Sequence, residues 1–316
     1  MKRVLTAVIL IPIVIVVLFR APLWLFTLLV LGVALLATHE YLSILRAMGF
    51  RPLGELAYIV VACLFLLLTL AFLSNSKFVT SLAFGAAVAG IALAVALLVC
   101  PLAFLTWGMT REPLRNALPD ACVSYMVLHY IGLTLACLPL LRAVGDGGLF
   151  LFYVMLVVWA GDIAALYVGR AVGRHKLAPR VSPGKTWEGA IASGIGAILM
   201  ALLLFRFVVP IYKFLIAIHL LQSTDTLFIK AVTARLIFAP AWLVVIFAIC
   251  INIAAQLGDL VESSMKRGAE LKDSGSLLPG HGGVLDRIDA LLFAAPVALL
   301  FYALGDISNY LALQNY

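Results

Sequence analysis

Long apolar runs separated by short polar breaks set the pattern of this chain. The runs cover 4–19, 23–38, 56–74, 81–105, 121–141, 149–169, 188–210, 233–257 and 288–304. A helix needs roughly 20 predominantly apolar residues to cross a bilayer core, and these runs approach or reach that length with few charges inside them. The pattern predicts an all-α, polytopic membrane protein with about nine transmembrane helices. The first run follows Met1-Lys2-Arg3 with no small-x-small cleavage site after it, and a second begins directly after Arg20-Ala21-Pro22. It is therefore expected to be retained as a span. The stretch 210–230, "PIYKFLIAIHLLQSTDTLFIK", reads either as an interfacial helix or as the end of a long span.

Composition sharpens this picture. Hydrophobic residues make up 65% of the chain and charged residues 12%, too little charge to cover a soluble domain of this length. Most of the 22 Lys and Arg fall on one side of the predicted spans, at Lys2, Arg3, Arg46, Arg51, Arg111 and Arg115 and in the loops 170–187 and 258–287. That bias puts both polar loops in the cytoplasm. The net charge of +7 follows from this topology and from attraction to anionic lipid. The basic residues are few and tied to membrane loops, which gives no footing for nucleic acid. Cys63, Cys100, Cys122, Cys137 and Cys250 stand singly in apolar runs without CxxC spacing. They read as small buried hydrophobes rather than a metal site or a disulfide framework.

The polar residues inside the runs carry the chemistry. Asn252, Gln256, Asp259 and Ser263 recur at steps of four, three and four, so they share one helical face that Lys266 extends. Lipid cannot satisfy such a stripe, so it faces protein or a wet cavity. Interhelical hydrogen bonding accounts for Asn252 and Gln256. Asp259 is harder to place. An ionised acid near the C-terminal end of a helix opposes the helix dipole unless the helix runs on, and a bound cation removes the conflict.

Asp286 and Asp289 open the ninth run at i, i+3, the spacing of a capping box. Arg287 lies between them, however, and Gly280-His281-Gly282-Gly283 comes just before. Glycines ahead of a helix expose amides that cradle phosphate. Acids beside such a cradle suit Mg2+, which keeps few protein ligands and binds substrate phosphates. Asp162 lies in the sixth run, where an acid costs about 2.5–3.5 kcal/mol to insert; it serves a site or pairs with a neighbouring span. The segment 182–189, "SPGKTWEG", has Gly184, Lys185 and Thr186 in the order that ends a P-loop. The leading glycine would fall at Pro179 and no strand is predicted before it. The segment then reads as a different anion clamp, or as a helix start with Ser182 as N-cap and Pro183 at the first helical position. His39 with Glu40, His129 and His219 lack partners at metal spacing and are assigned to structure or interface. No GxSxG or HExxH run is present.

Ser263, Met265-Lys266-Arg267, Lys272-Asp273, Gly275, Leu278-Pro279, His281-Gly282-Gly283-Val284 and Asp286-Arg287-Ile288-Asp289 together match the signature of the phosphatidate cytidylyltransferases, or CDP-diglyceride synthases. The chain resembles that family over 155–292, where 182–189 is similar to its second marked segment; over the first 145 residues the likeness is compositional. The resemblance implies that CTP and phosphatidic acid give CDP-diacylglycerol and pyrophosphate, in phospholipid biosynthesis and with Mg2+ required. It implies a homodimer of nine-span subunits in the bacterial plasma (inner) membrane, with the site facing the cytoplasm.

It further implies two cations at Asp259 and Asp286, with Asp289 as a nearby third acid; the second cation is left open between Mg2+ and a monovalent ion. Lys266, Arg267 and Lys272 join these acids as the implied catalytic set. Asp162, Ser182, Lys185, Thr186, Ser263, Asp273, Gly280, His281, Gly282, Gly283 and Arg287 are implied to bind substrate. Residues 1–145 are expected to form a scaffold and lipid cavity, and 146–316 a catalytic region with the loops 170–187 and 258–287. A phosphate monoester is largely dianionic near neutral pH, so catalysis of this reaction needs positioning and charge neutralisation more than a general base. The competing class is an ion-coupled transporter with Asp162 and Asp259 on its path, which would carry polar groups across the whole membrane.

Overall fold

A computed structural model describes residues 12–73, 95–144, 147–221, 241–277 and 282–314. Its helices are α1 (Leu23–Ala47), α2 (Gly54–Leu73), α3 (Val95–Gly108), α4 (Leu114–Ala143), α5 (Gly147–Val172), α6 (Trp187–Arg206), α7 (Val208–Ala217), α8 (Ala241–Gly268) and α9 (Leu285–Gln314). All but α3 and α7 are long and apolar enough to cross a membrane, which makes seven candidate spans among the described residues. The multi-spanning helical class is as the hydropathy pattern predicts. Of the nine expected runs, 4–19, 56–74, 81–105 and 233–257 fall partly outside the described residues. The ambiguous 210–230 stretch holds the last turns of α7 and a turn with His219 at φ 55°; its remainder from 222 is also outside them.

The chain divides into two compact units. One comprises Met1–Ala21, Leu140–Ser264 and Ile288–Tyr316; the other comprises Pro22–Pro139 and Met265–Arg287. In the first unit α5 and α6 pack through small residues. A Cβ on Gly196 would stand 2.7 Å from the Ala164 Cβ, so these backbones approach more closely than a larger residue allows. The opposite face of α6 carries Ile191, Ile195, Leu199 and Leu203, all exposed and spaced by four. An outward apolar stripe of this kind belongs against lipid. Phe247 of α8 gathers the rings of Phe150, Tyr153 and Phe301 at centroid distances of 5.7, 5.7 and 5.3 Å. Arg142 donates from Nε and Nη2 to the carbonyls of Leu18 and Ala21, closing the end of the helical residues 12–20.

In the second unit α1, α2, α3 and α4 bury Leu42, Ile44, Leu53, Phe65, Phe104 and Ile131. The link between α1 and α2 is tied to α4: the amide of Arg51 donates to Asp120 Oδ1 at 3.0 Å and that of Leu53 to Ser124 Oγ at 2.7 Å. These bonds satisfy loop amides that would otherwise be buried without partners. All five cysteines are free thiols; Cys63 and Cys122 are exposed and the other three half-buried, so the burial expected of them is not met.

One local expectation is overturned. Between α5 and α6 the chain forms an antiparallel hairpin, β1 (Lys176–Ala178) with β2 (Ser182–Thr186). Ser182 begins β2 and is not a helix N-cap, and the helix starts later, at Trp187. Its cap is Thr186, whose Oγ1 accepts from the Gly189 amide at 3.2 Å. The later start has a physical cause. The Trp187 amide donates to the His175 carbonyl at 2.9 Å, and Glu188 accepts from the His175 amide and contacts its Nδ1 at 2.7 Å. The residues ahead of Trp187 are thereby drawn into a ribbon against the end of α5. Pro183, which lacks a ladder donor, is tolerated in an edge strand.

Candidate active site

Two polar clusters hold several of the residues singled out from the sequence, one in each unit. In the first, β2 presents Lys185 to α8, and its Nζ lies 2.7 Å from Asp259 Oδ2. Ser263 donates to Asp259 Oδ1 at 3.3 Å from one turn further along α8. Asp162 of α5 lies within electrostatic reach of both Asp259 and Lys185. Thus Asp162, Lys185, Asp259 and Ser263 gather in one place.

The rest of the polar stripe on α8 is structural. Asn252 donates to Ser193 Oγ of α6 at 2.7 Å. Gln256 donates to Asn252 Oδ1 at 2.6 Å and approaches the Ala190 carbonyl at 3.2 Å. The conflict between Asp259 and the helix dipole also falls away, because α8 continues past it to Gly268. Lys185 supplies the compensating charge. A Cβ on Gly258 would collide with the Asp289 carbonyl, so α8 touches the α9 turn bearing Asp289 at the residue next to Asp259.

The second cluster is built on the loop before α9. Lys266, near the end of α8, pairs with Asp286 Oδ1 at 2.5 Å, with only 12% and 9% of the two side chains exposed. Asp286 Oδ2 accepts from the Gly283 amide at 2.8 Å and the Ser274 amide at 2.9 Å, and the Ser274 hydroxyl lies 3.0 Å away. Gly282 has φ +79°, and a Cβ there would stand 2.7 Å from Asp286 Oδ2. Glycine is required at 282 on both counts.

The Gly283 amide therefore has a partner that the sequence pattern does not predict. Over 283–285 the amides do not present a phosphate cradle. Gly283 donates to Asp286, and Val284 and Leu285 each donate at 2.8 Å to the carboxylate of Glu40, which reaches in from α1. Asp286 is not the N-cap of α9 but lies in its first turn. Of the other predicted residues, Arg267 donates to the Leu271 carbonyl at 3.2 Å, while Lys272, Asp273 and Arg287 are exposed. Thr186 is buried as the α6 cap. Gly280 and His281 lie outside the described residues.

Glu40 and Ser274 were not among the predicted site residues. The available signal for Glu40 was a lone acid inside an apolar run, which is costly unless it has partners.

Among the described residues no three His, Cys, Asp or Glu side chains come together as a preformed metal cage. The acids present are hard oxygen donors, and the Asp259 side chain is 41% exposed. That donor chemistry suits Mg2+, which takes one or two carboxylates and fills its remaining positions with water and substrate phosphate.

A sequence model of the cytidylyltransferase family matches residues 1–304. The chain is 41% identical over 181 residues to a phosphatidate cytidylyltransferase of Brucella suis, which covers 56% of each protein. It is 43% identical over 157 residues to that of Haemophilus influenzae, covering 49% of this chain and 46% of the relative. It is 37% identical over 179 residues to that of Bacillus subtilis, covering 55% of both. The matched stretch thus spans about half the length of these relatives. The family model extends over nearly all of the chain, including the two clusters and the helices that carry them, and the chain belongs to the cytidylyltransferase family.

Proposed function

We propose that the protein transfers the cytidylyl group of CTP to phosphatidic acid, giving CDP-diacylglycerol and pyrophosphate, in a bacterial plasma membrane. The observation that carries this reading is the pairing of two of the implied cation-binding acids with lysines: Asp259 with Lys185 and Asp286 with Lys266. Carboxylate beside ammonium is the charge arrangement that a magnesium nucleotide meets well, since the acids can take the cation and the lysines the phosphates. The relatives named phosphatidate cytidylyltransferase support the choice of substrates.

In this reaction a phosphate oxygen of phosphatidate attacks the α-phosphorus of CTP. The bond from that phosphorus to the bridging oxygen breaks, and pyrophosphate leaves with the electron pair. Asp259, Asp286 and Asp289 would anchor the cations. Mg2+ held there would neutralise phosphate charge and steady the entering and leaving oxygens. Lys185, Lys266, Arg267, Lys272 and Arg287 hold the triphosphate and the lipid phosphate. Ser263 orients Asp259, and the Gly282-Gly283 backbone orients Asp286. The apolar helices of the first 145 residues form the lipid-facing scaffold. The Lys/Arg asymmetry supports a cytoplasmic site, and the family resemblance supports a homodimer.

The test is direct. Purified protein in detergent is given CTP labelled in its α-phosphate together with phosphatidate, and the organic extract is examined for a labelled liponucleotide. Labelled lipid is expected, and EDTA should abolish it. Its absence under conditions where the protein is folded would reject the reading.

A further inference from the structure

We infer that Glu40, on α1, is a positioning residue for the signature loop: it caps the N-terminus of α9 from a distant helix and, through Ser274, holds Asp286 in place. Three observations converge. First, Glu40 is 5% exposed, and its carboxylate accepts from Val284 N, Leu285 N and Ser274 Oγ, each at 2.8 Å. Second, the loop is shaped around it. A Cβ on Gly275 would stand 2.6 Å from Glu40 Oε1, and one on Gly283 would collide with both Ser274 Oγ and Glu40 Oε2. Third, Ser274 connects the two acids. Its hydroxyl lies 2.8 Å from Glu40 Oε2 and 3.0 Å from Asp286 Oδ2, while its amide donates to Asp286 at 2.9 Å.

The sequence around α9 explains why an outside carboxylate is needed. The residue before the helix is Val284, which has no side-chain oxygen to cap the first amides. Asp286 accepts from Gly283 but leaves the Val284 and Leu285 amides to another acceptor. Glu40 takes both, and the positive end of the helix in turn compensates a charge that would be expensive in an apolar run. Charge-assisted bonds to an ionised acceptor are also stronger and more directional than neutral ones. Asp286 thus meets its substrates with its orientation already fixed, and the cost of ordering it falls in folding rather than in turnover.

The role in turnover rests on the transferase reading above; the anchoring does not, and the experiment separates them. Glu40→Gln keeps shape and size but replaces one acceptor oxygen with a donor. Ser274→Ala removes the hydroxyl alone. Both variants and the double variant are purified in detergent and measured in two ways. Hydrogen–deuterium exchange over 282–290 should rise at least about tenfold in Glu40→Gln, since each 1.4 kcal/mol lost in holding the amides is a factor of ten. In the CTP assay, kcat should fall about 10²-fold in each single variant with KM for CTP changed by less than about threefold. The double variant should be no worse than the weaker single, because residues acting as one unit are non-additive.

Unchanged exchange in Glu40→Gln would overturn the anchoring, and with it the proposal. Multiplying losses of kcat in the double variant would overturn the linkage through Ser274. If Glu40→Gln fails to fold, wild-type kcat in Ser274→Ala overturns the same linkage. An inactive wild type whose exchange still responds to Glu40→Gln would reject the transferase reading while leaving the anchoring in place.

Discussion

Replacing Lys185 by Ala separates a residue that serves substrate from one that serves only topology. Lys185 Nζ lies 2.7 Å from Asp259 Oδ2, with side-chain exposures of 24% and 41%. An ion pair this open is screened by solvent and contributes no more than about 1 kcal/mol to stability. Asp259 also keeps the Ser263 hydroxyl at 3.3 Å, and the pairing of β2 with β1 runs through backbone atoms that the substitution does not touch. A loss of about 1 kcal/mol corresponds to a fall in melting temperature of about 2–4 °C for a chain of some 150–250 residues, and less for a larger one. Removing a donor that acts on a developing phosphate charge costs more, about 10²–10³ in kcat. The expected result is therefore a near-normal thermal transition in detergent beside a loss of at least 10² in CTP-dependent lipid labelling. Lys185→Arg should recover part of the activity, since the charge returns on a planar group of different reach. A loss of activity under about fivefold would return Lys185 to a topological role. A large loss of melting temperature in step with activity would make the pair structural. Either result refutes the reasoning.

Lys266→Met should behave differently although the chemistry of its pair is the same. Its partner Asp286 is only 9% exposed, and breaking a buried pair costs about 3 kcal/mol; denaturant unfolding should show a loss clearly greater than for Lys185→Ala, and equal losses would count against burial as the cause. Gly161→Ala should destabilise the packing of α5 on α6 and α8 by about 1–3 kcal/mol, because the added methyl would lie 2.6 Å from Asn252 Nδ2 and 2.9 Å from Ser193 Oγ. An unchanged melting temperature in detergent would show that this junction is looser than its geometry implies.

The spans were legible because a bilayer imposes a length and an apolarity that single runs display on their own. The stripe on α8 was legible for a related reason: Asn252, Gln256, Asp259 and Ser263 share a face at helical spacing, and lipid cannot take them. The hairpin was not legible. Its strands are three and five residues long, too short for alternation to show, and Ser182-Pro183 is by itself a sound helix start. What displaced it was a set of contacts to His175 from Trp187 and Glu188, which no propensity expresses.

The partners of the acids were hidden by sequence distance. Glu40 is separated from Ser274 by 234 positions and from Leu285 by 245, so nothing local marks it beyond the cost of an acid in a greasy run. The glycines before α9 predict amides exposed to an anion, and the amides over 283–285 do meet acceptor oxygens. The approaching group is carboxylate, and a glycine pattern alone cannot distinguish carboxylate from phosphate, because both accept from the same amides.

Across Asp259, Asp286 and Glu40, compensation follows burial. Asp259, the most open of these three, has a lysine and a hydroxyl. Asp286, nearly closed, has a lysine and two amides. Glu40, closed as well, is held by two amides at a helix N-terminus and by the Ser274 hydroxyl. The progression follows from the cost of removing a charge from water, which must be offset by more and better-directed donors as exposure falls. It also divides the labour. An acid with one open face and a screened ion pair can exchange its partner for little free energy, whereas one enclosed by several donors keeps its orientation whatever binds beside it. The proposed transfer of a nucleotide group to a lipid phosphate calls for both properties, a carboxylate that yields its lysine as charge arrives and another that does not move.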